Sequence, residues 1–429
     1  MLRATRLWFS SVSASCSPCR SLLNTFSIRS LEPLEDRIVK QFFRAESGYG
    51  GSEQPARLQI ITKKPIEASD DRNTDTTVGF MRSRAPRWLH ALSLPYGLVT
   101  QCRNILYDWK WLPQRKLPCR VVSVGNLTLG GTGKTPVAIF VTETLLKAGH
   151  RVAVLSRGYR RRSRAPRVLV SDGHRVLAGP DESGDEPFLI AQRCPKAIVA
   201  VGADRYHLGC WVLEQYPIDC IVLDDGFQHR ALARDVDLLL IDATDATGLR
   251  DLVPAGRLRE PLASAERASA WLVTRVESKM EAQPILSLLR EATVKARDPV
   301  LIRFAPHGFV EVQSGAPVAL DEADGRRAVI FSGIGNAEAF RTLVQRQRGI
   351  TVADAIVFPD HHVYTSADMG HVHERAERAG ASLLVTTEKD AVKLRALPPL
   401  TLPVWAVRLE TDILEGKALL ERLILSQPE

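Results

Sequence analysis

Thr128-Leu-Gly-Gly-Thr-Gly-Lys-Thr135 is a glycine-rich turn that follows the apolar run 121–124 and precedes the apolar run 137–146. Glycines let the backbone turn so that several N–H groups point at one anion, Lys134 adds a positive charge, and the hydroxyl of Thr135 is a ligand type suited to Mg²⁺. A strand before the turn and a helix after it are the setting in which this motif binds phosphates. We therefore predict a nucleoside triphosphate site whose binding residues are Thr128, Leu129, Gly130, Gly131, Thr132, Gly133, Lys134 and Thr135.

The first position of this motif departs from the usual pattern. The residue six places before the lysine is Thr128, where most phosphate loops have glycine. An ordinary glycine-rich turn is the alternative interpretation. Because three glycines remain, at 130, 131 and 133, the phosphate-binding interpretation is favoured.

Apolar segments of strand and helix length alternate from residue 117 onward, which is typical of a parallel sheet flanked by helices. The predicted strands are 119–124, 151–155, 197–201, 219–223, 237–241 and 270–274, followed in a second unit by 327–331, 382–386 and 403–407. The predicted helices are 134–148, 185–194, 203–216 and 281–296, followed by 336–346, 367–379 and 415–425. The fold class is α/β: a P-loop NTPase-like parallel sheet flanked by helices over 117–298, with a second, smaller α/β domain over 326–429. Residues 299–325 have short apolar segments interrupted by Pro and Gly, so we predict a hinge region there.

The amino-terminal residues 1–80 differ from the rest of the chain. The first 30 contain Arg3, Arg6, Arg20 and Arg29, many serines and no acidic residue, which is typical of an organellar transit peptide. Two interpretations remain: a disordered or targeting-like extension, or a start codon placed too far upstream. The second is favoured because the α/β pattern begins only after Met81.

Composition limits the class of protein without choosing a function. A chain of 429 residues that is 45% hydrophobic can bury more than one core, and its net charge of +8 favours an anionic partner. Seven irregularly spaced cysteines indicate reduced thiols rather than a disulfide framework. Charge alone does not distinguish a nucleotide, a lipid surface and a nucleic acid.

Residues 81–116 contain the nearest candidate for a membrane segment. No run of 18 apolar residues occurs, so no transmembrane helix is predicted. Tryptophans and leucines between Trp88 and Trp111, with arginines upstream, suit a helix lying in a membrane interface. A helix packed on its own domain fits the composition equally well.

Two acids end the apolar segment 221–225. Asp224 and Asp225 follow the phosphate loop by about 90 residues, and carboxylates at the end of a strand in such a fold bind Mg²⁺. Acids in this position also form ordinary turns. Their combination with a phosphate loop favours the metal interpretation.

Arg257, Arg259 and Glu260 lie in one predicted turn. A guanidinium group there can neutralise charge on a transferred phosphoryl group, and the carboxylate can hold Mg²⁺ directly or through water. A surface salt-bridge cluster is the alternative.

Two further segments carry groups suited to proton transfer. Asp185 and Glu186 open a predicted helix, where acids favour the helix dipole, but a carboxylate there can also accept a proton from an attacking hydroxyl. His361 and His362 follow Asp360 in the second unit and are compatible with a metal site, with orientation of a catalytic carboxylate, or with surface histidines.

Five arginines lie within residues 156–164, after the predicted strand 151–155. Solvated charge is the usual role of such a run, although the end of a strand directs it toward a cleft. An acceptor phosphate or anionic lipid is a suitable partner. Nucleic acid is not predicted, because only Tyr159 is interleaved to stack on bases.

Taken together and in this order, these segments resemble the tetraacyldisaccharide 4'-kinase family, the lipid A kinases. The segments that carry the resemblance are 123–136 (SVGNLTLGGTGKTP), 155–159 (LSRGY), 184–187 (GDEP), 224–229 (DDGFQH), 254–260 (PAGRLRE), 331–336 (FSGIGN), 360–362 (DHH) and 386–393 (TTEKDAVK). They cover most of residues 81–429.

The resemblance implies transfer of the γ-phosphate of ATP, with Mg²⁺, to the 4'-hydroxyl of a tetraacyldisaccharide 1-phosphate, giving lipid IVA. It implies that Asp185 is a base paired with His361, and that Lys134 and Arg259 act on the phosphates. It further implies a Mg²⁺ environment of Thr135, Asp224, Asp225 and Glu260. Residues 81–116 then dock on the cytoplasmic face of the bacterial inner membrane, where the lipid-linked disaccharide is the substrate. No obligate protein partner is predicted.

Two alternatives stay open from the sequence. One is a P-loop ATPase acting on partner proteins, although Leu129 replaces the additional lysine frequent in that group. The other keeps the kinase but places it in the mitochondrion through the amino-terminal extension. Because Asp185 and His361 lie in different predicted units, we expect the two units to close on the substrate.

Overall fold

The computed structural model describes residues 86–347 and 349–426. The predicted extension, residues 1–80, and the alternative start at Met81 lie outside these ranges. Within them, no helix is long and apolar enough to cross a membrane.

Ten α-helices are assigned in the described ranges. Their bounds are α1 Arg87–Asp108, α2 Lys134–Lys147, α3 Pro180–Ser183, α4 Asp185–Arg193, α5 Arg205–Gln215, α6 Lys279–Ala292, α7 Ala337–Gln345, α8 Ser366–Arg378, α9 Glu388–Leu394 and α10 Lys417–Leu425.

Thirteen strands accompany these helices over the same described residues. Their bounds are β1 Arg120–Asn126, β2 Val152–Ser156, β3 Arg167–Asp172, β4 Ile198–Gly202, β5 Cys220–Asp224, β6 Val236–Asp242, β7 Ala270–Thr274, β8 Pro299–Glu311, β9 Pro317–Val318, β10 Arg327–Ser332, β11 Thr351–Val357, β12 Leu383–Thr387 and β13 Val404–Glu415.

All the strands belong to one sheet, in the order β11-β10-β12-β13-β8-β7-β6-β1-β5-β2-β4-β3, with β9 paired to β8. Most neighbours are parallel, and the antiparallel pairs are β3 with β4, β8 with β13, and β8 with β9. The central strands β2, β5, β6 and β7 are buried along their whole length. This is the burial expected of parallel strands covered by helices on both faces. The predicted α/β fold with a parallel sheet flanked by helices is confirmed.

The predicted hinge at 299–325 is instead largely β structure. The amino-terminal part of β8 pairs in parallel with β7 up to Ile302, and the rest of β8 pairs antiparallel with β13. The start of β13 continues the sheet by pairing with β12 up to Val407. Residues 303–308 and 408–412 therefore form a two-stranded ribbon that joins an N-lobe, residues 86–302 and 413–426, to a C-lobe, residues 309–407.

The carboxyl-terminal helix returns to the N-lobe. Leu420 and Ile424 of α10 are fully buried in the same cluster as Val137 and Leu145 of α2. Helix α10, which lies within the second domain predicted at 326–429, therefore completes the core that covers the phosphate-loop helix.

Helix α1 has its faces reversed relative to an ordinary surface helix. Its protein-facing side is polar: Ser93 donates to the carbonyl of Leu252, and the hydroxyl of Tyr96 donates to the carbonyl of Arg259. Apolar side chains face outward instead, with Trp88 62%, Leu94 74% and Leu98 62% exposed. An amphipathic helix normally buries its apolar face.

Candidate active site

The phosphate loop connects β1 to α2 as predicted. Gly133 is the residue before the helix and has φ 86°, in the left-handed region that glycine tolerates best. A Cβ on Gly133 would lie 2.3 Å from the ring of Phe304, which belongs to the interlobe ribbon. A larger residue at 133 would therefore be strained by its backbone angle and would displace the ring of Phe304.

Four carbonyl oxygens of the loop accept hydrogen bonds from outside the turn. Their donors are Asn126 Nδ2 to Thr128, Arg257 Nε to Leu129, Arg275 Nη2 to Gly131 and Thr274 Oγ1 to Thr132. In a trans peptide the C=O and the following N–H point in opposite directions. The N–H of Leu129 donates to the carbonyl of Arg257. Binding the carbonyls of residues 129, 131 and 132 on the outside instead favours turning the N–H groups of residues 130, 132 and 133 toward the cleft, as an anion site requires.

The side chain of Lys134 lies beside a carboxylate. Its Nζ is 3.3 Å from Asn126 Oδ1 and 3.7 Å from Asp225 Oδ1. The guanidinium of Arg259 donates to both oxygens of Asp225 at 3.1 and 3.0 Å. Burial opposes ionisation of Asp225, but the charges of Arg259 and Lys134 outweigh it and hold its pKa well below the usual range. Asp225 is therefore an ionised carboxylate between two cations.

Asp224, its neighbour, is in the opposite electrostatic situation. It is 1% exposed, one oxygen accepts from Ser156 at 2.9 Å, and the other has no hydrogen-bond partner. Burial and the charges of Glu186 and Asp225 raise its pKa to about 7. A buried carboxylate oxygen without a partner is suited to bind a cation.

The structure brings Asp185 and His361 together, although 176 positions separate them in the chain. His361 Nδ1 is 3.1 Å from Asp185 Oδ2, and both side chains are largely buried. His361 has φ 60°, an uncommon angle for a residue other than glycine, and its N–H donates to the carbonyl of Gly333. This contact joins α4 of the N-lobe to the loop after β11 in the C-lobe.

Two lysines of α9 complete the contact between the lobes. Lys389 Nζ is 3.1 Å from Glu186 Oε1 and 3.0 Å from His361 Nε2, and Lys393 Nζ is 3.4 Å from Asp185 Oδ2. Burial opposes ionisation of Asp185, but the hydrogen bond from His361 and the charge of Lys393 lower its pKa below the ordinary value. Asp185 is therefore an ionised carboxylate at neutral pH.

Most of these groups line one interlobe cleft of about 1450 Å³; Asp185 lies behind the lining, in contact with His361. The lining includes loop residues 129–135, Glu186 and His361, and Tyr96 and Arg103 of α1. A cleft of this size at the carboxyl ends of parallel strands is the usual place for a ligand in such folds.

Glu260 does not fit its predicted metal role. It is fully buried, and its two oxygens accept from Asn104 at 2.7 Å, from Arg103 at 3.3 Å and from Arg267 at 2.7 and 3.0 Å. Donors occupy both oxygens, so Glu260 attaches α1 to the N-lobe instead. The prediction relied on its position next to Arg259, but adjacent side chains there point to different sides of the chain.

No group of three or more His, Cys, Asp or Glu side chains in the described ranges is arranged to hold a metal by itself. This argues against a metal site at the two histidines: His362 contacts Asp368 at 3.1 Å, and His361 contacts Asp185. It is compatible with Mg²⁺, which usually takes one or two carboxylates together with substrate phosphates.

The arginine run separates into two parts. Arg157 and Arg160 line the cleft, and Arg160 Nη1 donates to the carbonyl of Asp360 in the C-lobe at 2.7 Å. Arg161 and Arg162 make local contacts, to the carbonyl of Ala165 and to Asp181. Only part of the run is therefore directed at the site.

Sequence reasoning gave no role to several groups of the site. Lys389 and Lys393 lie in the segment 386–393, which was identified only as part of the resemblance. Their spacing of four residues puts both on one helix face, and this signal predicts that they contact the same neighbour. Ser156 and Phe304 gave no comparable signal, because their contacts depend on the tertiary fold.

Comparisons with known proteins agree with this geometry. Residues 85–427 match the family model described as Tetraacyldisaccharide-1-P 4'-kinase. The tetraacyldisaccharide 4'-kinase of Syntrophus aciditrophicus is 36% identical over 344 residues, which is 79% of this chain and 91% of the relative. That of Anaeromyxobacter sp. strain Fw109-5 is 40% identical over 317 residues, 73% and 84% of the two chains. The crystal structure of LpxK from Aquifex aeolicus in complex with ATP is similar with a TM-score of 0.63 at 32% identity, covering 78% of this chain and 96% of that one.

Proposed function

This chain belongs to the tetraacyldisaccharide-1-phosphate 4'-kinase family, and we propose that it carries out that family's reaction with the groups that meet at the interlobe cleft. It is an ATP-dependent kinase of lipid A biosynthesis. The γ-phosphate of ATP is transferred to the 4'-hydroxyl of tetraacyldisaccharide 1-phosphate, and the products are lipid IVA and ADP. The relatives named above carry the kinase name, which favours this function over a P-loop ATPase acting on partner proteins.

ATP binding is assigned to the phosphate loop, residues 128–135. The inward N–H groups and Lys134 suit the β- and γ-phosphates, as in other P-loop enzymes. Arg259, held by Asp225, supplies a second positive charge beside Lys134. Both cations then stabilise the negative charge that spreads over the transferred phosphoryl oxygens.

Mg²⁺ is the implied metal, and the residues present fit it. Asp224 has a buried oxygen without a partner, Asp225 is ionised beside it, and Thr135 lines the same cleft. Asp224 and Thr135 are proposed to hold the ion, and Asp225, whose two oxygens accept from Arg259, is proposed to add negative charge beside it. The ion would neutralise phosphate charge when bound.

Asp185 is proposed as the base and His361 as its partner. In the transfer, the 4'-oxygen forms a bond to the γ-phosphorus, the bond from that phosphorus to the bridging oxygen of ADP breaks, and the hydroxyl proton passes to Asp185. His361 bonds to one carboxylate oxygen of Asp185 and fixes its orientation, which leaves the other oxygen for the substrate. This contact across the lobes, whose His361 lines the same cleft as the phosphate loop, is the observation that carries the proposal.

The outward apolar face of α1 supports docking on a membrane. Trp88, Leu94 and Leu98 are exposed on the helix whose Tyr96 and Arg103 line the cleft. An acylated acceptor can thus keep its chains in the lipid while its sugar enters the cleft. We propose peripheral association with the cytoplasmic face of the bacterial inner membrane. The mitochondrial alternative depends on residues 1–80, outside the described residues.

The test uses the full chain with γ-labelled ATP and tetraacyldisaccharide 1-phosphate in detergent micelles. We expect label in the lipid product, and little ATP hydrolysis when the acceptor is left out. An Asp185→Asn variant is expected to lose about 10²–10³-fold in kcat while the KM for ATP changes little. Hydrolysis that is independent of the acceptor would favour the ATPase instead. Equal losses in kcat and ATP affinity would assign Asp185 a structural role.

A further inference from the structure

Lys389 lines the cleft and contacts His361, but the reaction proposed above gives this lysine no role. Its Nζ lies 3.0 Å from His361 Nε2, the ring nitrogen opposite the one that contacts Asp185. It also lies 3.1 Å from Glu186 Oε1 and 3.8 Å from Asp360 Oδ1. His361 is therefore held between a carboxylate and an ammonium group from two different helices.

The protonation of these neighbours determines that of the imidazole. Burial opposes the charge of Lys389, but the carboxylates of Glu186 and Asp360 outweigh it and raise its pKa. A lysine ammonium has three donors and no acceptor, so at 3.0 Å the ring nitrogen that faces it must accept. The proton of a neutral ring then resides on Nδ1, where it is donated to Asp185.

The two charged groups within hydrogen-bond distance of the ring support this assignment: Asp185 of α4 faces Nδ1 and Lys389 of α9 faces Nε2. The carboxylate of Asp360, on the same loop as His361, opposes it from 4.0 Å away at Nε2, and Lys389 outweighs it from 3.0 Å. The ring of Tyr159 packs edge-on at 5.7 Å. Lys393 contacts the Asp185 oxygen rather than the ring. Lys389 is thus the cation that directly faces the imidazole.

We propose that Lys389 is a positioning residue for the phosphoryl transfer: its ammonium holds His361 neutral, with Nε2 as acceptor and Nδ1–H directed at Asp185. A neutral imidazole orients the carboxylate without adding a second positive charge to that of Lys393, which lies 3.4 Å from Asp185 Oδ2. Asp185 therefore stays basic enough to accept the 4'-hydroxyl proton. The inference rests on the proposed roles of Asp185 and His361.

The test combines NMR of the ring nitrogens with kinetics on the full chain in micelles. The protein is labelled with ¹⁵N-histidine, and the His361 signals among the 10 histidines are assigned by their loss in His361→Asn. At about pH 7, we expect a protonated Nδ1 and an unprotonated Nε2 in the unmodified enzyme. Lys389→Met removes the donor and leaves the carboxylates, so Nε2 is expected to take up a proton, and kcat to fall about 10-fold or more with little change in the KM for ATP.

Two further variants separate positioning from general stability. Lys389→Arg keeps a donor-only cation and is expected to retain the unprotonated Nε2 and to recover part of kcat. Lys417→Met removes an exposed lysine of α10 that pairs with Glu421, and is expected to change neither readout.

A protonated Nε2 in the unmodified enzyme overturns the proposal, as do His361 signals that are unchanged in Lys389→Met. The NMR readout does not depend on turnover. If no label reaches the lipid, the proposed function fails, and if Asp185→Asn retains activity, the proposed base role of Asp185 fails; in both cases the spectra still decide the assignment of the ring nitrogens.

Discussion

Asp224 has the strongest unfavourable electrostatic environment among the acids described at the cleft, and this gives a pH-dependent prediction. Its pKa is raised from 3.8 to about 7 by burial and by the charges of Glu186 and Asp225. Between these values the folded protein binds a proton that the unfolded chain does not, so this residue's contribution to stability falls as pH rises through that interval. Above about pH 7 the folded, metal-free enzyme carries an unfavourable buried charge.

We therefore expect Asp224→Asn to raise the melting temperature of the nucleotide-free enzyme in EDTA at about pH 8, and to raise it much less at about pH 5, where the carboxyl is already protonated. The same variant should lose most of its kinase activity with Mg-ATP. Thermal unfolding at both pH values measures the first effect. An equal shift at both would contradict the assigned environment.

At the scale of residues, local sequence motifs predicted several of the side chains that line the cleft. The sequence pointed to Lys134 and Asp224 through local motifs, because a glycine turn or a strand end constrains its own side chains. The pairing of Asp185 with His361 came from the resemblance, since nothing local relates residues 176 positions apart. Glu260 was misassigned because its true partners, Arg103 and Arg267, are determined by how α1 packs.

At the scale of elements, the anchoring of α1 depends on that buried carboxylate. Removing one partner of a buried ion pair leaves the other charges uncompensated. Glu260→Gln should therefore destabilise the protein by about 3–5 kcal/mol and expose α1 to proteolysis. Glu214→Gln, at an exposed position on α5, is the control and should have little effect.

Unfolding curves and limited proteolysis measure both changes. A Glu260→Gln protein of unchanged stability, in which only the dependence of kinase activity on Mg²⁺ concentration is altered, would instead support the predicted metal role of this residue.

The outward face of α1 gives a second prediction at this scale. Leu98→Glu places a charge on that face without touching the polar side that holds the helix, so folding and activity on a water-dispersed acceptor should persist. Binding to vesicles should fall about 10-fold or more, because a charge in the interface opposes apolar insertion. Val294→Glu, on a side chain that is 88% exposed outside α1, is the matched control. Equal vesicle binding by both variants in a sedimentation assay would contradict interfacial docking.

Elements with clear period and length were predicted to within a few residues, and two of the strands that were not predicted, β8 and β11, have a physical reason. Strand β8 contains Pro306 and Gly308, which are turn signals in sequence, yet they lie where the β8–β13 register shifts between Arg408 and Leu409. Proline is tolerated in a strand at such an irregularity. Strand β11 is only partly buried at the edge of the sheet, so it lacks a continuous apolar run.

At the scale of the whole molecule, the site depends on contact between the lobes. Arg193 of α4 pairs with Glu388 of α9 at 2.9 Å, with both side chains nearly buried, next to the Glu186–Lys389 contact. Arg193→Met should loosen this contact and lower kcat about 10-fold, with a smaller effect on ATP affinity, since the phosphate loop lies in the N-lobe. Arg151→Met breaks an exposed arginine–aspartate pair and should leave kcat unchanged. Steady-state kinetics decide, and equal kcat values for both variants would show that this pair does not support the site.

Overall organisation was predicted only in part, because a sequence pattern shows alternation but not how lobes are joined. The ribbon made of β8 and β13 requires pairing of segments about a hundred residues apart, and no local signal specifies it. The return of α10 to the N-lobe likewise follows from the burial of Leu420 and Ile424 against α2.

The most direct test of the account is a double-mutant cycle on Asp185 and His361, with kcat for lipid phosphorylation measured for Asp185→Asn, His361→Asn and the double variant. If the two residues act as one unit across the lobes, the double variant should be no slower than the slower single variant. Losses that multiply would contradict the central claim, because they would show that the carboxylate and the imidazole act independently.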